Sequence, residues 1–93
     1  MENIKELLKR NGSTIVDVRS EMEFEMEHLP RSINIPLEQV PSRIKEFAAF
    51  SKPLVLYCRS GNRSNMAVNL LKQAGITDVY NGGSIYDLNN LLN

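Results

Sequence analysis

The chain has 93 residues, 42% of them hydrophobic and 24% charged, and its 11 Lys and Arg residues balance its 11 Asp and Glu residues. This length predicts one small domain over residues 1–93, and the neutral balance excludes the broad positive field typical of proteins that bind nucleic acid or anionic membranes. The charged, amphipathic start differs from a signal peptide, and no apolar run is long enough to span a bilayer. We therefore expect a cytoplasmic protein, or a periplasmic one if an export signal has been removed.

The cysteine and histidine counts limit the chemistry further. One cysteine excludes an internal disulfide, and one cysteine with one histidine is too few for a typical structural zinc site. We therefore expect neither a metal nor a cofactor.

Helical and strand patterns alternate along the chain. The spacing of Ile4, Leu7 and Leu8 predicts an opening helix that stops at Asn11 and Gly12. Further predicted helices cover residues 21–27, 37–48, 67–74 and 85–92. The predicted strands cover residues 14–18, 32–35, 53–57 and 77–80, with a turn at residues 81–83. This alternation predicts an α/β fold with a parallel sheet of about four to five strands and helices on both faces, although the strand order cannot be read from it.

The only cysteine begins a polar loop, residues 58–64, directly after the most apolar strand. Ligands of open α/β sheets bind beyond the carboxyl ends of the strands. Gly61 allows a tight turn with inward-facing amides, and the following helix adds the positive end of its dipole. Arg59 and Arg63 add two cations, so we favour a nucleophilic thiolate at Cys58 over a buried structural cysteine. The predicted substrate-binding residues are Arg59, Ser60, Gly61, Asn62, Arg63 and Ser64.

Three residues outside the loop are also candidates for the site. Asp17 and Arg19 end the first strand at the sheet edge of Cys58, and we assign them to support of the loop. An ion pair with Glu23 is the favoured alternative for Arg19, while loop support and a structural role stay equally open for Asp17. His28, the only histidine, is interpreted as structural because an activated thiolate needs no base.

Four ordered segments of the chain resemble signatures of the rhodanese family. They are residues 17–19 with Glu23 and Phe24, residues 27–36, residues 54–63 and residues 79–83. The chain is similar to the short single-domain type over nearly its whole length, although Glu27, Arg31 and Ser32 depart from the usual pattern, as does the missing aromatic residue after the closing Gly-Gly. The resemblance implies a rhodanese-like domain with thiosulfate sulfurtransferase activity. It also implies that Cys58 takes sulfur from thiosulfate or a similar donor as a persulfide, and passes it to cyanide, a thiol or a protein.

Three other functions are weighed against sulfur transfer. Cysteine-dependent phosphatases and arsenate reductases place five residues between cysteine and arginine, whereas four separate Cys58 from Arg63. A non-catalytic rhodanese-type binding module typically lacks the cysteine. A redox sensor, which needs an exposed thiol of low pKa, stays open only through a partner thiol, because the chain has no second cysteine.

Overall fold

A parallel four-stranded sheet lies at the centre of the computed structural model, which describes residues 3–9 and 12–92. Its strands are β1 (Thr14–Asp17), β2 (Ser32–Asn34), β3 (Leu54–Cys58) and β4 (Val79–Ser84), in the order β2-β1-β3-β4. The predicted parallel α/β fold is confirmed. The predicted stop of the first helix at Asn11 lies outside the described residues.

Five α-helices of the described residues connect and flank these strands. They are α1 (Ile4–Lys9), α2 (Glu21–Met26), α3 (Ile44–Ala49), α4 (Asn62–Gln73) and α5 (Ile85–Leu92). A 3₁₀ segment over Leu37–Arg43 precedes α3, so the single helix predicted for residues 37–48 is wrong. Pro41 lies within this segment and has no N–H for an α-helical hydrogen bond, which explains the tighter turn. Within the described ranges, no helix combines the length and the apolarity needed to cross a membrane.

The side chains of β3 alternate between two hydrophobic clusters, one on each face of the sheet. Leu54, Leu56 and Cys58 pack with residues of α3 and α4, whereas Val55 and Tyr57 pack with residues of α1 and α5. This alternation follows from the two-residue period of a strand. It directs the Cys58 side chain toward α4, the helix that follows the polar loop.

The end of β4 differs most from the sequence prediction. Residues 81–83, predicted as a turn, continue the strand, because Leu56 pairs with Asn81 and Tyr57 pairs with Gly83. Gly82 is the extra residue of this bulge, and Gly83 has a φ of 88° that favours glycine. The extended strand reaches the carboxyl edge of the sheet beside Cys58, and that position brings Asn81 to the loop.

Candidate active site

Cys58 occupies the last position of β3, and its side chain is fully buried, with 0% of its surface exposed. The Gly61 amide donates to Sγ at 3.0 Å and the Ser64 amide at 3.4 Å, while the Ser64 Oγ lies 3.5 Å from Sγ. Gly61 has a φ of 95°, the left-handed conformation that turns the loop back over the sulfur. The predicted loop of inward-facing amides is therefore present around the sulfur.

The pKa of Cys58 reflects two opposing effects. Burial raises the pKa of the thiol, because a charged sulfur is poorly solvated inside the protein. Hydrogen bonds from the Ser64 hydroxyl and from the amides of Ser64, Ser60 and Gly61 outweigh that effect and hold the pKa below its ordinary value. The lowered pKa agrees with the sequence prediction, and its main source is hydrogen bonding within the loop.

Arg63 directs its guanidinium toward α2. Its Nη1 and Nη2 atoms donate to the Glu23 carboxylate at 2.7 and 3.1 Å, across 40 residues of sequence. This pairing lowers the pKa of Glu23 to about 2, although partial burial of the carboxylate opposes the shift. The thiolate of Cys58 contributes to the raised pKa of Arg63, but less than Glu23 does. The ion pair between Arg63 and Glu23 therefore holds α2 against the loop. The Arg63 guanidinium also attracts the Cys58 thiolate, but more weakly.

Arg19 pairs with Asp17, so the predicted ion pair between Arg19 and Glu23 is wrong. The buried Asp17 carboxylate accepts from the backbone amide, Nε and Nη2 of Arg19 at 2.7–3.0 Å. Because only Val18 separates the two residues, the Arg19 side chain folds back onto Asp17. Glu23 pairs with Arg63 instead. Arg19 also donates to the Glu27 carbonyl oxygen at 2.7 Å. These bonds give Asp17 and Arg19 a structural role at the sheet edge, beside the loop rather than within it.

Arg59 is the loop residue that borders a cleft. Arg59 and Ser60 are exposed, as is Asn62 at the start of α4, which begins earlier than predicted. Among the described residues, Arg59 has no hydrogen-bond or ion-pair partner, so its charge faces solvent. The cleft has a volume of about 300 Å³ and is lined by Arg19, Glu23, Met26, Glu27, Arg59, Ile85 and Tyr86.

Asn81 belongs to the site although the sequence pattern did not indicate it. Its Oδ1 accepts from the Ser64 hydroxyl at 2.6 Å and from the Gly83 amide at 2.9 Å, and its Nδ2 donates to the Gly61 carbonyl oxygen at 3.1 Å. The pattern placed Asn81 in a turn, where asparagine is common for its own backbone preferences. Its position directly after a predicted strand, at the sheet edge of Cys58, is the signal that could have identified it.

His28 packs against Phe24 of α2. Its ring stacks on Phe24 with centroids 3.8 Å apart, and its Nδ1–H donates to the Phe24 carbonyl oxygen at 2.7 Å. These contacts support the structural interpretation of His28. In residues 3–9 and 12–92, no three His, Cys, Asp or Glu side chains are grouped so that they could hold a metal ion.

Comparisons with known proteins identify the family of this chain. Residues 1–84 match the family described as the rhodanese-like domain. The thiosulfate sulfurtransferase GlpE of Pseudomonas syringae pv. syringae (strain B728a) is 36% identical over 81 residues, which cover 87% of this chain and 76% of that protein. The thiosulfate sulfurtransferase PspE of Escherichia coli (strain K12) is 35% identical over 74 residues, which cover 78% of this chain and 71% of that protein.

Structural comparison supports the fold independently. The human single-domain sulfurtransferase TSTD1 superimposes with a TM-score of 0.77 over 94% of this chain and 89% of that chain, at 24% identity. Some relatives are longer proteins, since this chain spans only 52% and 43% of two further matches. The match over residues 1–84 and the identity to GlpE show that the chain belongs to the rhodanese family.

Proposed function

We propose that this protein is a sulfurtransferase that takes the outer sulfur of thiosulfate, or of a similar sulfane donor, onto Cys58 as a persulfide. The observation that carries the proposal is the set of amide donors converging on one sulfur atom of lowered pKa at a strand end. A thiolate is the nucleophile in sulfur exchange, and these donors stabilise it without a metal or a general base. The names of GlpE and PspE support the same reaction and the same donor.

The transfer is a substitution at the outer sulfur of the donor. The Cys58 thiolate forms a new sulfur–sulfur bond, the sulfur–sulfur bond of thiosulfate breaks, and its electron pair leaves with sulfite. One negative charge moves from Sγ to the outer sulfur of the persulfide, and no oxidant is needed. A thiophilic acceptor (cyanide, a thiol or a protein) then attacks the outer sulfur and regenerates the Cys58 thiolate.

The loop provides two kinds of electrostatic stabilisation for this reaction. The Gly61 and Ser64 amides donate to Sγ, where the negative charge resides before transfer and to which it returns when the thiolate is regenerated. Arg59, whose charge has no partner among the described residues, is placed to attract an anionic donor from the cleft. Arg63 acts mainly through its ion pair with Glu23, which holds α2 beside the loop.

The proposed reaction is tested by measuring thiocyanate formed from thiosulfate and cyanide. The wild-type protein should turn over, while Cys58→Ser should fall to the uncatalysed rate because its hydroxyl is not ionised at neutral pH. Hydrolysis of an aryl phosphate, measured in parallel, should stay at background. Circular dichroism and the unfolding midpoint should confirm that the Cys58→Ser variant is folded. Undiminished thiocyanate formation by that variant, or phosphatase turnover that depends on Cys58, would refute the proposal.

A further inference from the structure

The Asn81 side chain links β4 to Gly61 and Ser64 of the loop, and its amide orientation is fixed by the backbone. The Gly83 N–H must face an acceptor and the Gly61 carbonyl oxygen must face a donor. If the side-chain oxygen and nitrogen of Asn81 were exchanged, the NH₂ group would face the Gly83 N–H, which is also a donor. The oxygen would face the Gly61 carbonyl oxygen, which is also an acceptor. Asn81 Oδ1 is therefore the atom that lies 2.6 Å from the Ser64 hydroxyl.

The Ser64 hydroxyl has one proton and several neighbours that could accept it. Its Oγ lies 2.6 Å from Asn81 Oδ1, 3.1 Å from the Gly61 carbonyl oxygen and 3.5 Å from Cys58 Sγ. Because neither neighbouring oxygen can donate, the proton lies between Oγ and Oδ1 while the Cys58 thiol is protonated, which avoids the repulsion of two lone pairs at that short distance. The hydroxyl then presents a lone pair to the sulfur, which suits a protonated thiol. Donation to a thiolate requires the hydroxyl to turn away from Asn81.

We propose that Asn81 is a positioning residue that competes with the Cys58 sulfur for the single proton of the Ser64 hydroxyl. Ser64 is fully buried, so water does not supply a substitute partner at its side chain. The amides of Gly61 and Ser64 remain directed at the sulfur whichever way the hydroxyl points. Asn81 thus limits how strongly the loop stabilises a free thiolate without disturbing its backbone donors.

This competition has a consequence for sulfur transfer, which rests on the proposed function. In the free thiolate the negative charge lies on Sγ, next to the Ser64 hydroxyl. In the persulfide the charge lies on the added outer sulfur, while Sγ is neutral and does not require the proton. Ser64 then keeps its hydrogen bond to Asn81. The Asn81 contact therefore favours the persulfide relative to the free thiolate.

Charged groups around the loop also act on the sulfur and have to remain unchanged in any test. They are Arg59 in the loop, Arg63 in α4, Glu23 in α2, the Asp17–Arg19 pair at the end of β1, and Asp87 in α5, whose Oδ2 lies 3.7 Å from the position of a Cβ on Gly83. The hydrogen bonds described for Asn81 and the Ser64 hydroxyl involve none of these groups. A change at Asn81 therefore frees the proton of Ser64 without removing a charge. It also removes the bonds to the Gly61 carbonyl oxygen and the Gly83 amide, and that effect persists when Ser64 is alanine.

The competition is tested by NMR titration of Cys58 with an isotope label at Cβ of cysteine. The chain has one cysteine, so the label reports one ionisation and requires no reagent to reach the buried sulfur. Asn81→Ala should lower the midpoint by about one pH unit, because a hydrogen bond to a charged group is worth at least that much. The same substitution in a Ser64→Ala background should produce no downward shift. Asn69→Ala, which removes an exposed asparagine of α4, should leave the midpoint unchanged.

Two results would overturn the proposal. One is an unchanged or raised midpoint in Asn81→Ala, and the other is an equal downward shift when Ser64 is already alanine. If Asn81→Ala does not fold, Asn81→Leu, which keeps the side-chain volume, is titrated in its place under the same criteria. The titration does not depend on sulfur transfer. Failure of the wild-type protein to accept sulfur would therefore refute the proposed function separately.

Discussion

Hydrogen-bond donors around a single sulfur atom decide whether Cys58 is a reactive thiolate or an inert buried thiol. Burial alone would favour the neutral form of the side chain, as it does for a structural cysteine. Each hydrogen bond to a charged group contributes about 1.5–3 kcal/mol, and one pKa unit corresponds to about 1.4 kcal/mol. A few such bonds are therefore enough to reverse the effect of burial, in agreement with the lowered pKa of Cys58.

Arg59 and Arg63 should contribute differently to donor binding, because Glu23 balances the charge of Arg63. Arg59→Ala should raise the KM for thiosulfate about fivefold at low salt, which corresponds to about 1 kcal/mol for an exposed charge pair. The difference from wild type should shrink at high salt, where exposed charges are screened. Steady-state kinetics at two ionic strengths provides the measurement.

Lys72 offers a matched control for Arg59. It also carries an exposed positive charge, but it lies in the last turn of α4, at the opposite end of the helix from the loop. Lys72→Ala should leave the KM unchanged. An equal rise in KM for both variants would mean that net charge, rather than the position of Arg59, attracts the donor.

Among the secondary-structure elements, the bulged end of β4 packs directly against the loop. Gly61 packs against Gly83 so closely that a Cβ on Gly61 would lie 3.4 Å from the Gly83 Cα. A Cβ on Gly82 would lie 2.9 Å from atoms of Val55 and Leu88 and 3.1 Å from the Leu56 carbonyl oxygen. The end of β4 is thus closely packed against β3, α5 and the loop. A shift of this segment would move Asn81 and Gly83 together.

Gly82→Ala should therefore lower both stability and activity. Overpacking at this site should reduce the free energy of unfolding by about 1–3 kcal/mol, measured by urea denaturation. The displaced strand should also lower kcat/KM for sulfur transfer, because Gly83 packs against Gly61 of the loop.

Gly75→Ala is a control that separates a loss of stability from a loss of activity. Gly75 follows α4 with a φ of 95°, and a Cβ there would meet no atom within 4 Å. Backbone strain should reduce its stability by about 1 kcal/mol, while kcat/KM at a temperature where it is folded should match wild type. Wild-type kcat/KM in Gly82→Ala would contradict the assigned role of β4.

For the molecule as a whole, the sequence predicts the fold and the position of the nucleophile better than it predicts the contacts around Cys58. The apolar run before Cys58 predicted the central strand, and the glycine and polar residues after it predicted the loop. The ion pair of Arg63 with Glu23 spans 40 residues, so local spacing could not distinguish it from a pair of Arg19 with Glu23. Asn81 was missed because a strand that continues through Gly82 and Gly83 depends on pairing with β3, which is a tertiary effect.

Intact mass spectrometry shows directly whether the one cysteine of this chain carries transferable sulfur. After incubation with thiosulfate, the mass of the wild-type protein should rise by one sulfur atom, and it should return to its initial value when cyanide or dithiothreitol is added. Cys58→Ala should show no mass increase under the same conditions. An unchanged wild-type mass while thiocyanate is being formed, or the same added mass in Cys58→Ala, would show that Cys58 does not carry the sulfur.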